Sequence, residues 1–303
     1  MHLLVIGANR QIANALRVRA DAEGYVTEAI ETDASGFLSG DELKAKLACN
    51  KPNYVINVSL YPAYQQAEAD IAGAEKINTA MLAELAKVSD AAGIPFIQLS
   101  DAHIFDGKKD GPYIEEDEPR PMGVYGRTLL EGEQQIRALC PNHIILRTGL
   151  IFSQWGENYF TEIIKAAKNP EPMVVPAGIK GCPTPAGDVA RVVFAIIKQL
   201  NCGCNTWGTF HYCSSDVTNS YDFVDAVLSI LSQQVGSIEK DITSVPLEDE
   251  PSLALYPVNS VLACKKILHA YGIKQRSWRS GLKAMIKEVC PEHSPEVNPA
   301  QTS

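Results

Sequence analysis

The fold is predicted from the segment Leu3-Leu-Val-Ile-Gly7-Ala-Asn9-Arg10-Gln11-Ile12-Ala13, close to the start of the chain. Its first four residues are apolar, as in a buried strand, and a helical pattern begins after the glycine. A glycine between a first strand and a helix is typical of nucleotide-binding folds, because it lets a phosphate approach the helix N-terminus. The segment therefore predicts the first strand and helix of a nucleotide-binding α/β fold.

Further strands are predicted along the first half of the chain, with a helical segment between each pair. They cover Val26–Ile30, Tyr54–Val58, Phe96–Leu99 and His143–Arg147. Strands that alternate with helices of this length form right-handed crossovers and a parallel sheet. The predicted fold class is α/β: a Rossmann-type doubly wound parallel sheet with a smaller C-terminal substrate lobe.

The second half of the chain is less regular, and prolines at positions 170, 172, 176, 183 and 185 indicate loops. We predict a nucleotide-binding core over residues 1–148, joined by approximately 187–213 and 257–264. The smaller substrate lobe is predicted from 149–186, 214–256 and 265–290. The polar residues 291–303 are predicted to form a flexible tail.

The composition is that of a globular protein, with 303 residues of which 46% are hydrophobic. A net charge of −9 without a basic block makes nucleic acid an unexpected partner. No stretch approaches the roughly 20 consecutive apolar residues of a membrane span, and no secretory signal opens the chain. We therefore expect a cytoplasmic protein without a membrane partner. The eight cysteines are dispersed and match no zinc-binding pattern, so no metal site is predicted.

Two further motifs carry chemistry. They are Ser100-Asp101-Ala-His103-Ile-Phe-Asp-Gly107, at the end of the fourth strand, and Tyr125-Gly-Arg-Thr-Leu129, on the next helix. With the glycine turn, they resemble the extended short-chain dehydrogenases/reductases, most closely the dTDP-4-dehydrorhamnose reductase family. That family also contains the regulatory β subunit of methionine adenosyltransferase, which is a partner protein rather than a reductase.

The resemblance implies a nicotinamide dinucleotide in a cleft at the carboxyl ends of the strands. The residues implied to bind it are Gly7, Asn9, Arg10, Gln11, Ile12, Asn57, Ser59, Leu60, Tyr61 and Tyr125. The end of the second strand and the residues after it are acidic, at Glu28, Glu31 and Asp33. A carboxylate suits a ribose hydroxyl rather than a 2′-phosphate, so NAD is favoured over NADP.

The implied active site departs from the family pattern. The family has a Thr or Ser on the fourth strand and a Tyr-x-x-x-Lys motif, in which the Lys lowers the pKa of the Tyr from the same helix face. Here Tyr125 is present, but the Lys position is Leu129 and the hydroxyl position is Asp101. A carboxylate raises the pKa of a neighbouring Tyr, so both changes oppose proton donation to a ketone.

His103 is predicted on the same face of the fourth strand as Asp101, close to Tyr125. These three residues either perform acid–base chemistry such as epimerisation or dehydration, or form an ion pair that fills an inactive site. The family's substrate-stacking aromatic residue is absent at Leu150. Trp155 either replaces it or anchors the packing of a loop.

Arg10 stands where the glycine-rich motif normally has a second glycine. It either binds a phosphate directly or fills the space that the pyrophosphate would take, and the second interpretation is slightly favoured. In the first case NAD or NADP binds at this turn, and in the second the binding of either dinucleotide is weak or absent.

Three functions follow from these changes. The favoured one is a nucleotide- or sugar-nucleotide-binding or regulatory protein that has lost ketoreductase activity, with a protein partner if the role is regulatory. The alternatives are an active NAD(P)-dependent sugar-nucleotide ketoreductase, and an epimerase or dehydratase that uses Asp101, His103 and Tyr125. The sequence indicates neither the ligand nor the oligomeric state.

Overall fold

A computed structural model describes residues 1–8, 10–33, 36–61, 64–169, 171–236, 238, 241–249 and 255–290. Asn9 and the predicted tail 291–303 lie outside the described residues. The strands are β1 (His2–Ile6), β2 (Val26–Ile30), β3 (Tyr54–Asn57), β4 (Phe96–Asp101), β5 (His143–Thr148), β6 (Ile151–Phe152), β7 (Met173–Pro176), β8 (Lys180–Gly181), β9 (Thr184–Pro185), β10 (Gly208–His211), β11 (Thr218–Asn219) and β12 (Ile242–Val245).

The α-helices are α1 (Gln11–Glu23), α2 (Gly40–Asn50), α3 (Tyr64–Ala67), α4 (Ile71–Glu75), α5 (Met81–Ala91), α6 (Val124–Leu139), α7 (Tyr159–Ala166), α8 (Ala186–Asn201), α9 (Ser220–Val235), α10 (Lys265–Tyr271) and α11 (Leu282–Val289). A π-helical segment, Lys76–Ala80, joins α4 to α5, and 3-10 turns cover Ala102–Ile104 and Leu247–Asp249.

The central sheet has six strands in the order β10-β5-β4-β3-β1-β2, and all its pairings are parallel. The chain runs from β1 outward to β2 and then crosses back to β3 on the other side of β1. Ligands of open α/β sheets bind where the strand order reverses in this way, outside the carboxyl ends of the strands. The sheet confirms the Rossmann-type doubly wound fold class and places the cleft beyond β1 and β3.

Alternation along β1 builds both faces of the sheet. Leu3 and Val5 belong to the apolar cluster shared with α1 and α8, whereas Leu4 and Ile6 belong to the cluster shared with α2, α5 and α6. A third buried cluster is formed entirely by residues after position 151, including Phe152, Phe223 and Trp278. The boundaries of the two predicted lobes stay a prediction.

One helix differs from its prediction. The alanine-rich pattern from Ala67 to Ala92 predicts one continuous helix, but the structure has a break after α3. Asp70 starts α4 there, because its side chain accepts a hydrogen bond from the backbone N–H of Gly73 at 3.0 Å. An aspartate at this position supplies the acceptor that the first turn of a helix lacks, so a new helix begins.

Candidate functional site

The turn after β1 lies directly against the loop after β3. Gly7 has a φ of +98°, and a Cβ on this residue would lie 3.1 Å from the backbone nitrogen of Ser59. A larger residue would strain the backbone and collide with the neighbouring chain. Gly7 therefore brings the two loops together at the point where the strand order reverses.

The side chain of Arg10 crosses this point. Its Nη2 donates a hydrogen bond to the carbonyl oxygen of Leu60 at 2.9 Å, and a Cβ on Gly36 would lie 3.8 Å from the same nitrogen. The guanidinium thus lies between the loops that follow β2 and β3. Within the described part of the chain, the buried Nε of Arg10 has no hydrogen-bond partner.

The other residues implied to contact a cofactor are mostly engaged within the protein. Gln11 donates to the carbonyl of Ile151 and accepts from the hydroxyl of Ser153, and Ile12 is buried in the core. The remaining polar residues of this set are also buried and bonded: Asn57 to Gln98 and Ser59, Ser59 to the carbonyl of Gly36, and Tyr61 to Asn78 and Asp70. Their polar groups are therefore already occupied by partners within the protein.

Tyr125 lies in the first turn of α6, beside the chain that follows β4. Gly126 makes this approach possible, since a Cβ there would overlap the carbonyl oxygen of His103. Burial first, and then the Asp101 carboxylate, raise the pKa of Tyr125 well above its usual value, while the Arg10 guanidinium acts in the opposite direction. The carboxylate therefore acts on Tyr125 in the direction that the sequence predicts.

Asp101, His103 and Tyr125 do come together, but not for the predicted reason. His103 is not on β4: it lies in the 3-10 turn that follows Asp101. Asp101 accepts hydrogen bonds from both the backbone N–H and the ring Nδ1 of His103, which holds the turn against the end of the strand. The edge of the imidazole then meets the ring of Tyr125, with centroids 5.3 Å apart.

The residue at the family's lysine position takes no part in this cluster. The side chain of Leu129 is 2% exposed and packs in the apolar cluster that includes Leu99, Ile104 and Leu146. Position 129, where the family has a lysine beside the tyrosine, is therefore part of the hydrophobic core. The cation that acts on Tyr125 is instead Arg10, from the other side of the cleft.

Tyr256 is a site residue that the sequence did not indicate. Its ring lies against the other side of His103, with centroids 4.8 Å apart at nearly a right angle. The surrounding residues, Tyr256-Pro257-Val-Asn259, contain no pattern that indicates a role in the site. With Tyr256 in place, the Nε2 atom of His103 is buried.

A buried ion pair supports the ends of β4 and β5 beneath this cluster. Arg147 donates two hydrogen bonds to Glu133 of α6, at 2.9 Å from Nε and 2.6 Å from Nη2, and Ser100 donates a third at 2.7 Å. Burial acts to raise the pKa of Glu133, but Arg147 and Ser100 outweigh it and hold the pKa below its usual value. The buried charge pair thus ties Ser100 of β4 and Arg147 of β5 to the same residue of α6.

His211 completes this network. Its Nδ1 faces the carbonyl of Tyr113 at 3.0 Å, and its Nε2 faces Nη1 of Arg147 at 3.3 Å. The ring is therefore neutral, with the proton on Nδ1 and the lone pair of Nε2 accepting from Arg147. Burial first, and then the charge of Arg147, lower the pKa of His211 to about 3.

We expect this histidine to make the protein sensitive to acid. An unfolded His takes up a proton near its usual pKa of about 6.5, whereas folded His211 stays neutral until about pH 3. The unfolded chain binds more protons between these values, so the free energy of unfolding decreases as the pH falls through them, by up to about 1.4 kcal/mol per pH unit. Urea unfolding at about pH 7 and pH 5 measures it.

Two variants check this prediction: one removes the imidazole of His211, and the control removes that of His269. His211→Gln should reduce the pH dependence below about pH 6.5, and His143, whose pKa is also lowered by burial, accounts for part of the slope that remains. His269→Gln, at an exposed position of α10, should leave the pH dependence as in the wild type. An unchanged slope in His211→Gln would contradict the assignment of a neutral, buried imidazole.

The described residues contain no group of three or more His, Cys, Asp and Glu side chains that could hold a metal ion. In the same part of the chain, no helix is long and apolar enough to cross a membrane. The site consists of an arginine, an aspartate–histidine pair and two tyrosines, around the end of a parallel sheet.

The sheet order, the turn after β1 and the tyrosine at the start of α6 define a Rossmann-type protein of the extended short-chain dehydrogenase/reductase class. The model of the RmlD substrate binding domain family matches residues 1–290. The chain belongs to this family. A dTDP-4-dehydrorhamnose reductase from Aggregatibacter actinomycetemcomitans is 31% identical over 284 residues, which cover 93% of this chain and 97% of the relative.

Solved structures agree with this assignment. A dTDP-4-dehydrorhamnose reductase from Clostridium acetobutylicum superimposes with a TM-score of 0.86 at 28% identity, over 95% of this chain and 99% of the other. The enzyme of that name from Bacillus anthracis, solved in complex with NADP, has a TM-score of 0.84 over the same shares of the two chains; at 22% identity it supports the fold alone.

Proposed function

We propose that this chain is a sugar-nucleotide-binding or regulatory member of the family that does not reduce ketones by the Tyr–Lys mechanism. The observation that carries the proposal is Leu129, which is buried in the core where a lysine would stand beside Tyr125. Asp101 adds a carboxylate next to the same phenol, and the pKa of Tyr125 is raised. A phenol of this kind is a poor proton donor, so the reduction loses its general acid.

Acid–base chemistry by the Asp101–His103 pair is the less favoured alternative. A general base must come within hydrogen-bond distance of the proton that it removes. The Nδ1 of His103 is bonded to Asp101, and its Nε2 is buried beneath Tyr125 and Tyr256. This arrangement supports the interpretation of an ion pair that fills the former catalytic position.

The residues present do not fit a nicotinamide dinucleotide as they stand. The guanidinium of Arg10 is bonded to the Leu60 carbonyl beyond the carboxyl ends of β1 and β3, where a pyrophosphate would lie. A dinucleotide could enter only after this hydrogen bond has broken. We propose that NAD or NADP binds weakly, if at all, and the preference for NAD stays a prediction.

Direct titration tests this function. We expect calorimetry to detect binding of dTDP and of a dTDP-sugar to the full chain, and ketone reduction to be absent under the same conditions. A thermal-shift series with UDP-sugars, NAD and NADP gives the relative preference. A chain that binds none of these nucleotides would contradict the proposal, and so would binding accompanied by steady turnover.

The position of Arg10 gives a prediction of its own. Because the guanidinium fills the space of the pyrophosphate, we expect Arg10→Gly to strengthen the binding of NAD by about tenfold, the equivalent of about 1.4 kcal/mol. Calorimetric titration of both proteins measures it. Arg17→Ala, which removes a charge from an exposed position on α1, should leave the affinity unchanged. If Arg10 is instead a phosphate ligand, its removal weakens binding by about 1.5–3 kcal/mol.

A further inference from the structure

A groove of about 280 Å³ lies away from the Tyr125 cluster, where α1 and the start of α8 meet the loop after β6 and helix α11. Its walls include Arg19, Trp155, Asp188, Arg191, Arg276 and Met285. None of the residues implied to act in catalysis or to bind a cofactor lines it. Ligand sites occur preferentially at junctions of this kind, between separately packed parts of a protein.

The groove carries an excess of positive charge. Arg191 is paired with Asp188, whose second oxygen accepts from the hydroxyl of Tyr212, and Arg19 is paired with Glu23. Among the residues that the structure describes, the exposed side chain of Arg276 has no hydrogen bond or ion pair. One guanidinium is therefore available to an incoming anion, in a chain whose net charge is −9.

The aromatic wall of the groove is Trp155. This residue is half-buried, packs against the main core cluster from one side and lines the groove from the other. An indole and a free guanidinium that line the same groove can hold a planar ring and an anionic group at the same time.

The size of the groove restricts the ligand. Sites for drug-sized ligands have volumes of roughly 300–1,000 Å³, so this groove is at the lower limit. A dinucleotide or a sugar nucleotide is too large to be enclosed, but a single base with one phosphate is of suitable size. We propose that the groove binds a nucleoside monophosphate, with the phosphate at Arg276 and the base against Trp155.

This site is separate from the proposed function and does not depend on it. It is nevertheless connected to the main cleft, since the segment that carries Trp155 is hydrogen-bonded to Gln11 at the start of α1, through Ile151 and Ser153. Gln11 is the neighbour of Arg10 along the chain. A ligand in the groove would therefore contact the same segment that holds the glycine turn.

The test uses calorimetric titration of the full chain with thymidine monophosphate, thymidine and inorganic phosphate. We expect the monophosphate to bind more tightly than either part alone. Arg276→Gln and Trp155→Leu should each weaken this binding by about tenfold or more, the scale of a hydrogen bond to a charged group or of a stacked ring. Lys283→Gln is the matched control, because it removes an exposed charge from α11 outside the groove.

A second variant tests whether the monophosphate binds in the main cleft instead of the groove. Tyr125→Phe alters the cleft and leaves the groove intact, so binding at the groove should persist in it. Circular dichroism and thermal melting establish that Arg276→Gln and Trp155→Leu remain folded. The proposal is overturned if monophosphate binding is the same in Arg276→Gln as in the wild type, or if phosphate alone binds as tightly as the monophosphate and Trp155→Leu has no effect.

Discussion

We expect the purified chain to oxidise NADPH or NADH slowly when it is supplied with dTDP-4-dehydrorhamnose. The rate should be about 10²–10⁴-fold lower than that of a family member with the Tyr-x-x-x-Lys motif. A positioned general acid contributes a factor of about this size. Here Tyr125 has a raised pKa, Leu129 supplies no charge, and Asp101 replaces a hydroxyl group. The decrease in absorbance of the reduced cofactor measures the rate.

The comparison requires a relative assayed in parallel, such as the Clostridium acetobutylicum protein whose structure is similar to this one. Ordinary enzymes turn over at roughly 1 per second or faster, so a steady rate in that range would refute the prediction. Ultraviolet titration of Asp101→Asn provides a separate check of the cause. Removing the carboxylate should lower the pKa of Tyr125, whether or not any activity appears.

The sheet could be predicted from the sequence because its determinants are local. Each central strand is a short apolar run bounded by a turn, and the segment up to Gly7 carries both the strand and the turn in consecutive residues. Alternating strands and helices then leave few possible topologies. The alanine-rich helix was predicted to begin at Ala67 but begins at Ile71, because the side chain of Asp70 caps its first turn.

The site could be predicted only in part. The sequence placed Asp101 and His103 close to Tyr125, but assigned His103 to a strand, because alternation assumes that the strand continues. The side chain of Asp101 ends it by accepting the backbone N–H of His103. Tyr256 was missed since it reaches His103 from far along the chain, and contacts of that kind follow from packing rather than from any local pattern.

The direction of the Arg10 side chain also could not be predicted from the sequence. Its position in the glycine-rich turn left two interpretations open, ligand or obstruction. The structure directs the guanidinium to the Leu60 carbonyl, an acceptor fifty residues away. Whether a side chain bonds a ligand or its own backbone depends on which acceptor the fold brings within reach, and this acceptor belongs to the loop after β3.

Substitution of Glu133 is expected to have the largest effect on stability. Glu133 is 1% exposed and neutralises the buried guanidinium of Arg147. Glu133→Gln leaves that charge without a counterion in the core, and breaking a buried pair in this way costs about 3–5 kcal/mol. Urea unfolding, monitored by circular dichroism, should show a lower midpoint with little change in slope.

The same helix offers a matched control. Glu131, two residues earlier on α6, forms an exposed ion pair with Arg127 at 3.2 Å, and Glu131→Gln should cost less than about 1 kcal/mol. A double variant, Glu133→Leu with Arg147→Met, removes both buried charges and should recover much of the loss, because apolar residues can replace a buried pair at little cost. Equal effects of Glu131→Gln and Glu133→Gln would contradict this assignment. The support of Asp101 and Tyr125 would then rest on the apolar packing of β4 and β5 rather than on the charge pair beneath them.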